Sequence, residues 1–293
     1  MSGANASPIG RSDQEMSGAN ASPIGRSDQE MIIVKIGGGR TINLKGIVQD
    51  LAVLDEPFII VHGANAIRDE IAAKMGYPTK TVTSVSGYSS VLSDEHAIDV
   101  IMMAYAGLQN KRLVELCQQH GINAVGLSGI DGRLVEGARN KGIRVRQNEK
   151  TIMMHDYSGK PRSVNKELIA LLTGHGYVPV ICIPIVDESG AAINSENDDI
   201  VSLLQEALCA GTVIQLIEAP GILNDPKNED SLIRQIPKAE LESREALVEG
   251  RMKRKILALR KLAGGSVERI LISDGRVEHP IRDALSGHGT TIQ

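Results

Sequence analysis

The chain has 293 residues, a formal net charge of −4, no tryptophan and a single phenylalanine, Phe58. An acidic balance with so few rings to stack on argues against a dedicated nucleic-acid binder. No apolar run approaches the roughly 20 residues that cross a bilayer, and Cys117, Cys182 and Cys209 lie far apart in apolar segments, as buried thiols of a reducing cytoplasm would.

Residues 1–15 recur letter for letter as residues 16–30. A perfect tandem copy rich in Ser, Gly, Asn and Asp has no apolar period to bury and reads as a duplicated non-native tag or leader, disordered, with the folded protein starting at Met31. The first apolar run, 32–36, predicts a strand ending in Lys35-Ile36-Gly37-Gly38-Gly39. Glycines there let backbone N–H groups approach a phosphate, and Lys35 adds a cationic donor. Neither G-x-x-x-x-G-K-[ST] nor G-x-G-x-x-G occurs, which removes the P-loop and the dinucleotide fingerprint. A second strand, 58–61, runs into His62-Gly63-Ala64-Asn65 and then a helix over 67–75. Backbone N–H groups at such a helix start suit a carboxylate or phosphate, while His62 is expected to satisfy a backbone group rather than act as a base.

A long helix over 94–120 follows, apolar enough on one face for a core or a dimer contact, then a strand over 122–127. Residues 133–162 hold two short alternating pieces, 143–146 and 151–155, and predict a hairpin. It carries Arg133, Arg139, Lys141, Arg144, Arg146, Lys150, Lys160 and Arg162 against Glu136, Glu149 and Asp156. On an acidic protein this suits either a dock for an acidic partner or a solvated ribbon whose edge charges prevent aggregation. A helix over 166–175 and a strand over 178–185 precede Asn194-Ser195-Glu196-Asn197-Asp198-Asp199. Asp198 or Asp199 is expected to cap the next helix, 198–209, leaving polar groups over for substrate and for orienting lysines. Strands over 212–217, before Pro220-Gly221, and over 269–273 enclose a helix, 252–263, opened by Gly250-Arg251-Met252-Lys253-Arg254-Lys255. Four cations in a first turn oppose the helix dipole unless an anion binds in front of them. Continuous apolar strands alternating with helices predict an α/β chain, a three-layer αβα sandwich with an open, mainly parallel central sheet. Ligands then belong beyond the carboxyl ends of its strands.

Taken together these segments resemble the amino-acid kinase superfamily, within it the acetylglutamate kinase branch, and most nearly the [LysW]-aminoadipate/[LysW]-glutamate kinases. The resemblance runs over 31–293 and is carried by 110–117 (NKRLVELC), 123–134 (NAVGLSGIDGRL), 250–256 (GRMKRKI) and 274–290 (DGRVEHPIRDALSGHGT). It implies ATP-dependent phosphorylation of a side-chain carboxylate to an acyl phosphate, with a substrate attached to a small acidic amino-group carrier protein in lysine or arginine synthesis. N-acetylglutamate kinase and a catalytically weak regulatory homologue are the other readings. Residue by residue, the resemblance implies Lys35 and Lys255 on the transferring phosphoryl group and Asp198 organising them. Gly37 and Gly38 would meet nucleotide phosphates. Gly63 and Ala64 would hold the reacting carboxylate by N–H groups, and Asn194 would bind substrate. Pro220 and Gly221 would lie in an ATP lobe, 190–293, facing a substrate lobe, 31–189. MgATP, a homodimer and a cytoplasmic location come with it. Three positions depart from the pattern: Ala64 replaces a glycine, Val91 stands where relatives carry a substrate-gripping arginine, and 217–221 reads IEAPG.

Overall fold

The structure, a computed structural model, describes residues 30–83, 85, 89–147, 150–246, 248 and 250–293; residues 1–29 of the tandem repeat, Gly87 and Tyr88 ahead of Val91, and Asn148 and Glu149 lie outside them. Eight strands form one sheet: β1 (Ile32–Ile36), β2 (Phe58–His62), β3 (Ala124–Ser128), β4 (Val178–Cys182), β5 (Thr212–Ile217), β6 (Gln235–Ile236), β7 (Arg269–Asp274) and β8 (Thr290–Ile292). Their order is β6-β8-β7-β5-β1-β2-β4-β3, and all neighbours are parallel except the antiparallel pair β7–β8. The first strand of the chain is therefore central, joining β1–β4 to β5–β8.

Helices cover both faces: α1 (Leu44–Leu51), α2 (Asn65–Lys74), α3 (residues 95–119), α4 (Lys166–Gly174), α5 (Asn197–Leu208), α6 (Leu241–Ala246), α7 (Gly250–Ala263) and α8 (Pro280–Leu285). Successive strand residues point to opposite faces. Ile32, Val34 and Ile36 of β1 accordingly pack with Ile47 of α1, Leu113 of α3 and Ile281 of α8, whereas Ile33 packs with the core that holds Ile200 of α5 and Ile256 of α7. This is the three-layer sandwich, with burial on both faces explaining the unbroken apolar strands. Among the described residues no helix is long and apolar enough to cross a membrane.

The long helix α3 starts where Asp94 Oδ1 accepts from Ala97 N (2.9 Å) and runs as α-helical Glu95–Ile101, π-helical Met102–Gln109 and α-helical Asn110–Gln119. Two expectations need correction. Residues 178–185 are not one strand, because Pro184 has no N–H for the ladder; the chain leaves the sheet and Ile185–Val186 joins a second sheet. That four-stranded sheet runs Ala192–Ile193, Ile185–Val186, Val135–Arg139, Gly159–Val164, so the base of the expected 133–162 hairpin belongs to it. Only Ile143–Gln147 and Lys150–Met154 form the separate two-stranded ribbon.

Candidate active site

Lys35 shares the β1 face of Ile33, the face on which α5 and α7 pack. Its register partner is Gln215 on β5, whose own partner is Ile272 on β7. The first turn of α5 brings Asp198 over this row, and Lys35 Nζ lies 2.9 Å from Asp198 Oδ1. A cleft of about 490 Å³ opens between the sheet and α7, lined by Lys35, Asp198, Gln215, Gly221, Lys255 and Leu259 among others. Two lysines 220 positions apart thus face one cavity. Burial alone would raise the Asp198 carboxyl; the charge and hydrogen bond of Lys35, joined by the charge of Lys255, outweigh it and hold the group below the usual carboxylate range. Asp198 is therefore ionised at neutral pH and partly neutralises the ammonium pair.

The acidic cluster and the basic helix explain one another. Glu196 pairs with Arg254 at 2.6 Å and Asp199 with Lys261 at 3.1 Å, tying α5 to α7. Neither Asp198 nor Asp199 caps α5, contrary to expectation. The N-cap is Glu196, with no side-chain bond to the helix, because these carboxylates face lysines and an arginine instead. Of the basic start of α7, Arg254 is spent on Glu196 and Lys255 faces the cleft. Beside Asp198, the buried atoms Ser195 Oγ and Asn197 Oδ1 have no hydrogen-bond partner among the described residues. Buried polar atoms left without partners fit a site completed by a ligand.

Beyond β1 and β2 the two loops touch backbone to backbone. A β-carbon on Gly38 would sit 2.6 Å from Ala64 N and from Asn65 N, which only glycine avoids. Gly37 N–H donates to Leu216 O and Gly63 N–H to Ile36 O, each at 2.9 Å, extending the parallel ladders by one residue. Those two N–H groups are therefore engaged within the protein, which for Gly63 differs from the expected N–H bond to the reacting carboxylate. The N–H groups of Gly38 and Ala64 make no such bond among the described residues. Ala64 has φ −148°, outside the left-handed region that favours glycine, so the family glycine is not needed there. Glu218, of the divergent 217–221 segment, accepts from Thr41 N (2.8 Å) and Thr41 Oγ1 (2.6 Å) and ties the glycine loop to the loop after β5.

His62 is fully buried, with Nδ1 3.2 Å from Gly63 O and Nε2 3.1 Å from Asn110 Nδ2. Burial lowers its pKa to about 4, so it is a neutral structural group, as its sequence context predicts. Asn194 Nδ2 donates to Ser93 Oγ (2.9 Å), and the Asn194 backbone is bonded to Tyr157 and Gly159. It lies at the seam with the second sheet, four residues before Asp198. Gly37, Gly38, Gly63, Ala64, Asn194 and Pro220 do not line the lysine cleft; Gly221 does. The sequence reading missed Gln215 and Glu218, which an apolar strand and a loop had concealed.

The amino acid kinase family profile matches residues 30–274. The chain is 40% identical to the [LysW]-aminoadipate kinase of Thermus thermophilus over 90% of this chain and all of that protein. It is also 40% identical to the [LysW]-aminoadipate kinase of Deinococcus radiodurans, over 89% of this chain and 91% of that protein. Among solved structures, N-acetylglutamate synthase from Neisseria gonorrhoeae, with coenzyme A and N-acetyl-glutamate, superposes with a TM-score of 0.72 at 19% identity, covering 90% of this chain and 59% of that one; this shows a shared fold. With two lysines and an aspartate on one cleft and a profile matched over most of its length, the chain belongs to the amino acid kinase family and is an ATP-using kinase.

Proposed function

We infer that the chain transfers the γ-phosphoryl group of ATP to the side-chain carboxylate of a 2-aminoadipyl or glutamyl group carried on a small acidic protein, in lysine or arginine synthesis. The observation that carries this reading is the convergence of Lys35, Lys255 and Asp198 on one cleft. A carboxylate oxygen is already a nucleophile at pH 7, so the reaction needs no general base, in keeping with a buried neutral His62. The oxygen attacks the γ-phosphorus, the bond to the β–γ bridging oxygen breaks, and ADP departs. The barrier is the approach of two anions and charge on the transferring group, which cations and N–H donors relieve. In this reading Lys35 and Lys255 bind the phosphoryl oxygens, and Asp198 holds Lys35 in place. The Gly38 N–H then serves phosphate, the Ala64 N–H, which also faces the Tyr105 hydroxyl, serves the carboxylate, and Asn194 orients substrate. The 190–293 lobe with Pro220 and Gly221 holds ATP, and the 31–189 lobe holds the acyl group. Among the described residues no group of three or more His, Cys, Asp or Glu could cage a metal, so Mg²⁺ would arrive on the nucleotide and neutralise its phosphates.

The acyl group and its carrier are supported by the names of the two 40%-identical relatives. An acidic carrier suits the ribbon region. Lys141, Arg144, Lys160 and Arg162 are exposed, while Asp156 is buried and accepts from Ser93 N and Ser158 N. With that carboxylate committed inside, the outward charge is more positive than composition suggests. Exposed Met103 and Leu108 on α3 would lie in a homodimer contact. Hydroxylamine trapping of acyl phosphate, with coupled ADP release, tests the reading. Carrier-conjugated aminoadipate or glutamate should react, with KM rising as salt rises. Equal activity on free N-acetyl amino acids would count against the carrier, and no hydroxamate from any carboxylate would end the kinase reading.

A further inference from the structure

A second cavity, about 480 Å³, lies along α2, and its walls include Arg68, Val91, Asp94, Lys80 and His96. Arg68 is four residues past Ala64, about 6 Å along the helix axis from the loop that would hold the reacting carboxylate. Its side chain is 14% exposed. Nε and Nη2 both reach a single oxygen, Asp69 Oδ1, at 2.9 and 2.8 Å, and that oxygen also accepts from Thr79 Oγ1 at 2.8 Å. One edge of the guanidinium is thereby clamped. On the other edge, Nη1 makes a 3.5 Å contact with Asn65 Oδ1, too long to satisfy it. Asn65 Oδ1 is already taken by the Tyr105 hydroxyl. The cavity's own carboxylate, Asp94, caps α3 through Oδ1. A largely buried arginine, one edge of its fork held by Asp69 and the other by a single long contact, thus lines a cavity whose acidic group is engaged elsewhere, an arrangement that suits a carboxylate.

We propose that Arg68 binds the α-carboxylate of the amino acid whose side chain is phosphorylated, and so sets specificity for a substrate with two carboxylates. This rests on the carboxylate-kinase reading above. The acylated amino acid keeps its α-carboxylate, which is ionised at pH 7 and cannot leave water for a protein cavity without a paired donor. Val91, which also lines the cavity, supplies no charge; Arg68 does, from a different element.

The test compares carrier-conjugated 2-aminoadipate with the same conjugate bearing an α-carboxamide, using wild-type enzyme, Arg68→Gln and Arg68→Lys. Wild type should prefer the α-carboxylate by about 100-fold in kcat/KM, the usual loss when a desolvated charge pair loses one partner. Arg68→Gln should raise KM for the carboxylate about 100-fold, leave KM for ATP unchanged, and treat the two conjugates alike. Arg68→Lys, which keeps charge and most of the stem, should show a smaller rise of about 10-fold, because an ammonium lacks the fork. It reads the effect even where the glutamine variant folds poorly. A merely structural Arg68 would not erase discrimination between carboxylate and amide. Wild-type KM in both variants, or discrimination retained in them, overturns the assignment while leaving the kinase reading intact. Wild-type enzyme that phosphorylates neither conjugate sinks both.

Discussion

Replacing Asp198 with asparagine keeps the shape of the α5 start and removes one charge. Lys35 and Asp198 are 13% and 27% exposed and 2.9 Å apart, so at an effective dielectric of about 20 their attraction is about 6 kcal/mol before desolvation is counted. Most of that offsets the cost of taking both ions from water, and stripping one partner from a largely buried pair costs about 3 kcal/mol. For a chain of this size the melting temperature should fall by about 6–12 °C. The same substitution removes from the cleft the negative charge that acts on both Lys35 and Lys255. ADP should therefore raise the melting temperature of Asp198→Asn by more than it raises that of the wild type, although turnover drops. Differential scanning fluorimetry with and without ADP, beside a coupled rate assay, reads all three quantities. An asparagine variant that melts with the wild type, gains no extra stabilisation from ADP and turns over normally would refute the role given to this pair.

Lys35→Ala and Lys255→Ala should each lower kcat more than about 100-fold with little change in the carboxylate KM, as expected for groups that act on the transferring phosphoryl; steady-state kinetics over a substrate series decides it, and wild-type turnover in both removes them from the reaction. His62 has its pKa lowered from 6.5 to about 4, so the unfolded chain takes up a proton first as pH falls. Its contribution is intact above pH 6.5 and is lost between there and about 4, a span worth about 3 kcal/mol. Urea titrations of His62→Gln should show a shallower fall of stability across that window than wild type, and parallel curves would exclude the assignment. Gly38→Ala pushes a β-carbon into the Ala64–Asn65 backbone and should cost about 2 kcal/mol or more while raising KM for ATP. Unchanged folding and KM in that variant would mean that the two loops do not meet as described.

The central strands were legible because each is buried on both faces and so is written as a continuous β-branched run; Ile32–Ile36 and Thr212–Ile217 match their expected bounds. Helices starting at local capping groups were legible too, as Asp94 shows. What escaped was held from a distance. The N–H groups of Ile281 and Arg282 at the start of α8 donate to Asp50 on α1, some 230 residues earlier, so no local residue marks that cap. The ion pairs of Glu196 and Asp199 are not legible in the sequence either, because their partners, Arg254 and Lys261, come from another helix. Arg68 was invisible for the opposite reason: in sequence it is one charge among Asp69 and Glu70, and only its burial and its neighbours in the cavity distinguish it.

The placement of β1 between β2 and β5 bears on how the polypeptide reaches its native state. Ile32–Ile36 leaves the ribosome first among the sheet strands, yet one of its ladders waits for residues 212–217. Until then an apolar strand edge stays open, a template for mispairing between nascent chains. Cutting the gene at the boundary between residues 189 and 190 would consequently yield an amino-terminal fragment with a bare internal edge, prone to precipitate alone and rescued by co-expression of the remainder.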